Sequence, residues 1–198
     1  MSRPTVPPVR PGFERILRMA TPGGAILAKI RPGEYYVTSP PELITTLVGS
    51  CVAACIGDPE RGVGGMNHFL LPRAALGVPA GDADVISNRY GDSAMENLIQ
   101  AVLEAGGRRE RLQVKIFGGG NMGRPESTIG QRNVRFVEEY LRRAKLTVAA
   151  GSLLGEVARK VLYEPGTGRA WVWKLPPLRH EESAWPAAER PDELPWEE

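Results

Sequence analysis

Both cysteines of this chain and one of its two histidines lie in a single short stretch, residues 45–72. The stretch holds two apolar runs separated by a Gly-Asp-Pro-Glu-Arg-Gly turn centred on residues 59 and 60, a pattern typical of a β-hairpin. A turn with that centre predicts that Cys51 pairs directly with His68. Side chains that face each other across antiparallel strands have Cβ atoms roughly 5 Å apart, which brings a thiol within reach of an imidazole. The spacing therefore predicts a cysteine nucleophile and a histidine base.

Such a pair could attack the carbonyl carbon of an amide or an ester. The thiolate is the attacking species, and the imidazole either accepts the thiol proton or stabilises the thiolate as an ion pair. A third polar group must hold the imidazole ring. Thr45 has the strand parity of Cys51, so a bend at Gly49-Ser50 would return its hydroxyl to His68, whereas Thr46 would point away. Backbone N–H groups near Ser50 and Cys51 are candidate donors to an oxyanion.

Two features leave open that Cys51 and His68 have only a structural role. A bulge at Gly64-Gly65 would shift the hairpin register and move His68 to the opposite face. Buried cysteines and hydrogen-bonded core histidines are also common without any catalytic role. Cys55 shares the parity of Cys51 but lies farther along the strand, so we expect it to be buried and unreactive. Asn67 faces the side opposite to His68 and is expected to be structural.

Composition limits the classes of function. The 198 residues are 42% hydrophobic, enough for a core, and 25 basic against 23 acidic residues give no strong field for nucleic acid. No apolar stretch approaches the roughly 20 residues that span a bilayer, so a cytoplasmic location is the default expectation. Two cysteines four residues apart in a strand would lie about 13 Å apart, which predicts free thiols in a reducing compartment. We expect no metal and no organic cofactor, because a thiol and an imidazole together supply the nucleophile and the acid–base chemistry.

Hydrophobic periodicity and turn residues indicate a single α+β domain over about 13–175. Residues 1–12 are predicted to be a flexible proline-rich arm, and residues 176–198 a flexible acidic tail whose two tryptophans could form a short docking peptide. Two helices are predicted, the first with a capping box at Ser93 and an apolar stripe up to Gly106, the second capped by Thr128. Strands are predicted at 25–30, 34–38, 43–48, 112–117, 146–150, 160–163 and 170–174, and residues 13–18 as a short helix or strand.

A glycine run follows the strand that ends at Phe117. The run, Gly-Gly-Gly-Asn-Met-Gly over residues 118–123, lacks the Lys-Ser/Thr of a P-loop and the spacing of a dinucleotide fingerprint. We interpret it as a tight turn. Because it lacks side chains, it could also form one wall of a cleft that a polypeptide substrate approaches.

The motifs described so far resemble those of one known family. Those segments are LVGSCVAACIGDPERGVGGMNHFLLP at 47–72, RYGDSAMENLI at 89–99, KIFGGGNM at 115–122, IGQRNVRFVEEYL at 129–141 and RKVLYEPGTGR at 159–169. Together they resemble the chemoreceptor glutamine deamidase family, CheD. The resemblance implies a sandwich of β-sheets with helices packed on the outside. It also implies hydrolysis of particular glutamine side chains on bacterial chemoreceptors, with the receptors and, in many bacteria, a CheC-type phosphatase as partners.

By position, the resemblance implies that Cys51 is the nucleophile, His68 the base and Thr45 the residue that orients the histidine. Where the family usually carries Asp-Leu-Gly-Gly, this chain has Ser-Leu-Leu-Gly at 152–155, which leaves the shape of that loop and the choice of substrate or partner open. Two alternatives stay open. The chain could be a non-catalytic adaptor that binds receptors or a phosphatase, or a thiol hydrolase that also cleaves receptor glutamyl methyl esters.

Overall fold

A computed structural model describes residues 11–21, 24–72, 88–122 and 126–176. Most of the predicted arm, residues 73–87 and nearly all of the predicted tail lie outside the described residues, so the domain boundaries stay predictions. The described residues form ten strands, two helices and a 3-10 turn at Arg109–Arg111. The elements are β1 Leu17–Ala20, β2 Ile26–Lys29, β3 Tyr35–Thr38, β4 Glu42–Val48, β5 Val52–Asp58, β6 Val63–Phe69, α1 Gly91–Glu104, β7 Gln113–Gly118, α2 Ile129–Ala144, β8 Val148–Leu153, β9 Arg159–Glu164 and β10 Arg169–Lys174.

The strands form two mixed five-stranded sheets. The first sheet has the order β1-β2-β4-β9-β10 and the second the order β3-β6-β5-β7-β8. Only β2 with β4 and β7 with β8 pair in parallel, and the other named neighbours are antiparallel. The predicted α+β sandwich is therefore confirmed.

Two apolar cores hold the layers together. An inner core lies between the sheets and an outer core between the second sheet and the helices. The inner core includes Ile44, Val48, Ala53, Cys55, Met66, Val161 and Tyr163. The outer core includes Val52, Ala54, Ile56, Leu98, Val102, Val114, Val134 and Val137. Alternate residues of β5 thus serve the two cores, and every residue of β5 and β6 is buried because both faces of the sheet are covered.

The central hairpin forms, but its predicted register is wrong. The β5–β6 ladder runs without a shift from Val52 opposite Phe69 to Asp58 opposite Val63, so that Ala53 and not Cys51 lies opposite His68. The turn is centred one residue later than predicted, and the described ladder has no bulge at Gly64-Gly65.

The position of the turn is fixed by a contact distant in sequence. Asp58 is fully buried, and its carboxylate accepts hydrogen bonds from Arg108 N at 3.0 Å and from the Arg111 guanidinium at 2.8 Å. These charge-assisted bonds hold Asp58 as the last residue of β5. The turn sequence alone carries no sign of them.

The helices are confirmed, but α1 begins earlier than predicted. It starts at Gly91 rather than after a capping Ser93, and no side chain caps it. Gly91 N donates to Leu71 O at 2.8 Å, and a Cβ at Gly91 would lie only 2.3 Å from the ring of Phe136. Docking against β6 and α2 thus decides where α1 begins. Thr128 does precede α2, although its side chain makes no capping hydrogen bond.

Candidate active site

Cys51 lies where the chain passes from one sheet to the other. The bend at residues 49–51 follows β4 of the first sheet and precedes β5 of the second. The Cys51 side chain packs against the inner core and is partly exposed. The bend therefore presents one thiol to solvent and to the interior at once.

The glycine run at 118–120 forms a wall along this bend. Gly119 N donates to Cys51 O and Gly120 N donates to Gly49 O, both at 2.8 Å. Gly118 has a φ of 116°, and a Cβ there would lie 2.1 Å from Cys51 O. Only glycine fits such an approach. The run lies directly against the cysteine; residue 123 lies outside the described residues, so the predicted tight turn over the whole run stays a prediction.

Asn133 of α2 fastens the bend to the end of the histidine strand. Its amide nitrogen donates to Ser50 O at 2.9 Å and to Leu70 O at 2.8 Å, and the residue is fully buried. Two carbonyl acceptors fix the orientation of this amide, because the reverse orientation would set oxygen against oxygen. The sequence prediction missed Asn133. The available signal was a polar residue that shares the buried helical stripe of Val137 and Leu141.

His68 is held by Thr46. The side chain of His68 is 2% exposed, and its Nδ1 lies 2.9 Å from Thr46 Oγ1. The same hydroxyl donates to Ile30 O at 2.9 Å. A hydroxyl has one proton, so with that proton on Ile30 O the Thr46 oxygen accepts a hydrogen bond from Nδ1–H. This assigns the neutral tautomer in which Nε2 carries the free lone pair.

The predicted contact between Thr45 and His68 is wrong. The Thr45 hydroxyl instead donates to Val161 O at 2.8 Å, within the first sheet. Ile44 and Val48 of β4 belong to the inner core, and Thr46 shares their face. Thr45 points to the other side. Strand parity does not carry across the bend at 49–51, where the chain changes sheets.

Cys51 and His68 share a face of the second sheet and lie one diagonal step apart. His68 is opposite Ala53, two residues beyond Cys51. Diagonal neighbours on antiparallel strands are about 7–8 Å apart at Cα, within reach of aromatic and long side chains. Nε2 of His68 is buried and has no hydrogen-bond partner among the described residues. An unpaired acceptor on the same sheet face as a partly exposed cysteine is compatible with a base before its substrate binds.

Burial favours the neutral form of both groups. Desolvation lowers the pKa of His68 to about 4. Desolvation also raises the pKa of the Cys51 thiol above its ordinary value, opposed by a backbone hydrogen bond. A preformed thiolate–imidazolium pair is therefore disfavoured, and the proton must move as the thiol attacks.

Cys55 and Asn67 occupy the positions predicted for them. Cys55 is 1% exposed within the inner core, and burial raises the pKa of its thiol. Asn67 faces the helices, where its amide donates to Ala94 O at 2.9 Å and its oxygen accepts from Ala54 N at 3.0 Å. Neither group is placed to act on a substrate at Cys51.

Arg159 organises the loop that departs from the family pattern. Its guanidinium is buried and donates to Ser152 Oγ, to Val157 O and to Leu154 O. The loop is bonded to the glycine wall through Leu154 N, which donates to Gly118 O at 2.9 Å. The departing residues thus lie beside the Cys51 bend.

The described residues contain no cluster of three or more His, Cys, Asp and Glu side chains that could hold a metal ion. The second histidine of the chain, His180, lies outside them. Of the two helices described, neither has the length and hydropathy needed to cross a membrane.

A partly exposed cysteine one diagonal step from a buried imidazole, on the same sheet face, is an arrangement that suits a cysteine hydrolase of acyl groups. Comparison with known proteins gives the family. Residues 70–174 match the family described as CheD chemotactic sensory transduction. A "Probable chemoreceptor glutamine deamidase CheD" of Hahella chejuensis is 43% identical over 183 residues, which cover 90% of this chain and 85% of the relative.

Proteins with the same name from two further bacteria are similarly close. The Rhodopseudomonas palustris protein is 52% identical over 76% of this chain and 70% of its own length, and the Halorhodospira halophila protein 47% identical over 86% and 81%. The chain belongs to the CheD family. The matched family segment begins after Cys51 and His68, so the assignment of these two residues depends on their geometry.

Proposed function

We propose that this protein hydrolyses specific glutamine side-chain amides of bacterial chemoreceptors to glutamate and releases ammonia. The observation that carries the proposal is the partly exposed Cys51 thiol on the same sheet face as the unpaired Nε2 of His68. The names of the CheD relatives supply the substrate class. A thiol nucleophile with a neutral base suits amide hydrolysis, because the base can return its proton to the departing nitrogen.

The reaction would begin with attack of Cys51 Sγ on the side-chain carbonyl carbon of glutamine. The thiol proton passes to His68 Nε2, and a tetrahedral intermediate forms whose oxyanion accepts hydrogen bonds from backbone N–H groups at Ser50-Cys51. His68 then gives its proton to the amide nitrogen, which leaves as ammonia, and a thioester remains. Water adds to the thioester while His68 accepts a proton from it. Glutamate is released and the Cys51 thiol is restored.

Thr46 is the positioning residue in this scheme. Its hydroxyl accepts from Nδ1–H of His68 and donates to Ile30 O, so Nε2 keeps its lone pair for the thiol proton. The imidazolium that forms during attack gains the same hydrogen bond. We therefore assign to Thr46 the role predicted for Thr45.

The proposal extends to location and partners. We place the reaction in the cytoplasm, with chemoreceptors as the protein substrate and a CheC-type phosphatase as a possible second partner. The family resemblance supports both, and the exposed side of the bend gives a macromolecule access to Cys51. The glutamine must be selected among many on a protein surface, so recognition depends on the surface around the thiol.

The test is direct conversion of glutamine in a receptor. Purified protein is incubated with receptor cytoplasmic fragments, while ammonia is measured in solution and glutamate formation by peptide mass spectrometry. We expect equal amounts of ammonia and new glutamate at a small set of sites. Binding of the fragments without conversion would favour a non-catalytic adaptor and contradict the proposal. Methylated fragments in the same assay show whether esters are also cleaved.

A further inference from the structure

Exposed apolar side chains lie on several segments next to the Cys51 bend, and we call them the apolar rim. Among the described residues, seven large hydrophobic side chains are exposed, and four of them lie on segments bonded or packed to this bend. The rim comprises Leu71, Met122, Ile129 and Leu154, which are 38–42% exposed. The other three, Leu17, Met19 and Val148, lie on β1 and at the start of β8.

Met122 and Leu154 lie closest to the nucleophile. The Met122 side chain packs on the bend, since a Cβ at Gly49 would be 2.8 Å from Met122 Sδ. Leu154 is joined to the glycine wall by its hydrogen bond to Gly118 O at 2.9 Å. Both residues thus lie next to the bend that carries Cys51.

Leu71 and Ile129 complete the rim. Leu71 follows Leu70, whose carbonyl is bound by Asn133 together with that of Ser50. Ile129 precedes Gly130, where a Cβ would be 2.3 Å from Gly119 O. The four apolar side chains therefore come from four separate segments that meet at one bend.

Two rim residues also have strained backbones. The described non-glycine residues with positive φ are Met122 at 55°, Lys145 at 55° and Leu154 at 60°. Lys145 ends α2, a position where left-handed backbone is common. Met122 and Leu154 have no such role, and their Cβ atoms make this conformation unfavourable. The strain at Leu154 persists because Arg159 and Gly118 bind its carbonyl and its N–H.

Exposed apolar side chains on a strained backbone do not stabilise the fold by themselves. Such features persist when contact with another molecule uses them. A glutamine that reaches Cys51 brings the polypeptide around it close to the rim. The occupant that fits is therefore the protein substrate itself, since it must be seated here in every turnover.

We propose that Met122 and Leu154 are specificity-determining residues that bind apolar side chains next to the target glutamine. The inference builds on the proposed deamidation, because it names what the enzyme reads on the substrate. It requires receptor sites in which apolar residues flank the modified glutamine, and it disfavours sites flanked by charges.

The chain offers matched controls for both residues. Met122→Gln is compared with Met19→Gln, and Leu154→Asn with Leu17→Asn, since each pair joins the same residue type at similar exposure. Asparagine tolerates positive φ, so Leu154→Asn removes the apolar group without adding strain. Iodoacetamide alkylation of Cys51 measures the reactivity of the thiol independently of docking.

For each rim variant we expect kcat/KM on a receptor fragment to fall about tenfold, mainly through KM, since half-buried apolar side chains contribute on that scale. The rate of Cys51 alkylation in the rim variants should stay within about twofold of wild type. The kcat/KM of both control variants should also stay within about twofold of wild type. Rim variants that match wild type, or controls that lose as much as they do, would overturn the proposal.

A binding assay separates this proposal from the proposed function. Each variant is placed in a Cys51→Ser background and titrated with the receptor fragment. Loss of binding on rim substitution supports docking even if the wild-type protein converts no glutamine. If wild type converts glutamine and the rim variants bind and convert it equally well, the docking proposal is refuted and the proposed function is not. If wild type neither binds the fragment nor converts its glutamine, both proposals are contradicted.

Discussion

Thr46 Oγ1 lies 2.9 Å from His68 Nδ1, while the neighbouring Thr45 hydroxyl is bound to Val161 O in the first sheet. Two adjacent threonines on one strand thus have different partners. Since β4 lies in one sheet and β6 in the other, the bond from Thr46 is a link between the two sheets at the candidate catalytic histidine.

Substitution of these two threonines tests which one positions the histidine. We expect Thr46→Val to lower kcat by about 10- to 100-fold, because the ring loses the bond that fixes its tautomer. Thr46→Ser should restore most of the activity. Thr45→Val should retain activity and lose about 1 kcal/mol of stability from the Val161 bond. Steady-state deamidation kinetics and urea denaturation give the two readouts, and an inactive Thr45→Val beside an active Thr46→Val would reverse the assignment.

The reactivity of Cys51 should rise with pH well beyond neutrality. Burial raises the pKa of its thiol, so the thiolate forms only on the alkaline side of the ordinary cysteine range. Alkylation of Cys51 by iodoacetamide, followed from pH 5 to 10 in a Cys55→Ala background, should be slow at pH 7 and increase steadily. Rapid alkylation that is constant below pH 7 would reveal a thiolate–imidazolium pair and contradict a neutral resting site.

Protonation of His68 should destabilise the fold in acid. Its pKa falls from 6.5 in the unfolded chain to about 4 in the folded protein, so the native state excludes a proton that the unfolded state binds. The stability is complete above pH 6.5 and is lost as pH falls toward 4, by about 3 kcal/mol. His68→Gln lacks this titration. Denaturation curves of the two proteins from pH 7.5 to 4 should therefore converge, and a constant difference across that range would refute the depressed pKa.

Asn133 should be needed for both stability and turnover. Asn133→Ala removes two partly buried hydrogen bonds to backbone carbonyls and is expected to lower the free energy of unfolding by about 2–3 kcal/mol. Asn133→Asp should be worse, because a carboxylate would face the carbonyls of Ser50 and Leu70. We expect kcat to fall more than KM rises, since the bend that carries Cys51 loses its attachment. Chemical denaturation and kinetics check this. A fully stable, active Asn133→Asp would show that the two hydrogen bonds from Asn133 are dispensable.

The sequence predicted the elements better than the contacts between them. The α+β class and the existence of the central hairpin follow from local patterns, and the sandwich follows from the family resemblance. The register of the hairpin did not, because Asp58 is fixed by Arg111, which lies far along the chain. The residues of the turn do not indicate such a distant partner.

For the candidate site too, the residues were predicted better than the contacts between them. Residue types and spacing singled out Cys51 and His68, and the structure places them on one face. The choice between Thr45 and Thr46 depended on how the chain crosses from one sheet to the other, where strand parity has no meaning. Asn133 became apparent only when α2 was seen against the bend, since its partners are the backbone carbonyls of residues distant in sequence.

The central claim is that Cys51 and not Cys55 attacks the receptor glutamine. Wild type, Cys51→Ala and Cys55→Ala are incubated with the same receptor fragment, and conversion of glutamine to glutamate is quantified by peptide mass spectrometry. We expect no conversion above background by Cys51→Ala and nearly full activity of Cys55→Ala, whose buried thiol only fills the inner core. Conversion by Cys51→Ala at the wild-type rate would contradict the account.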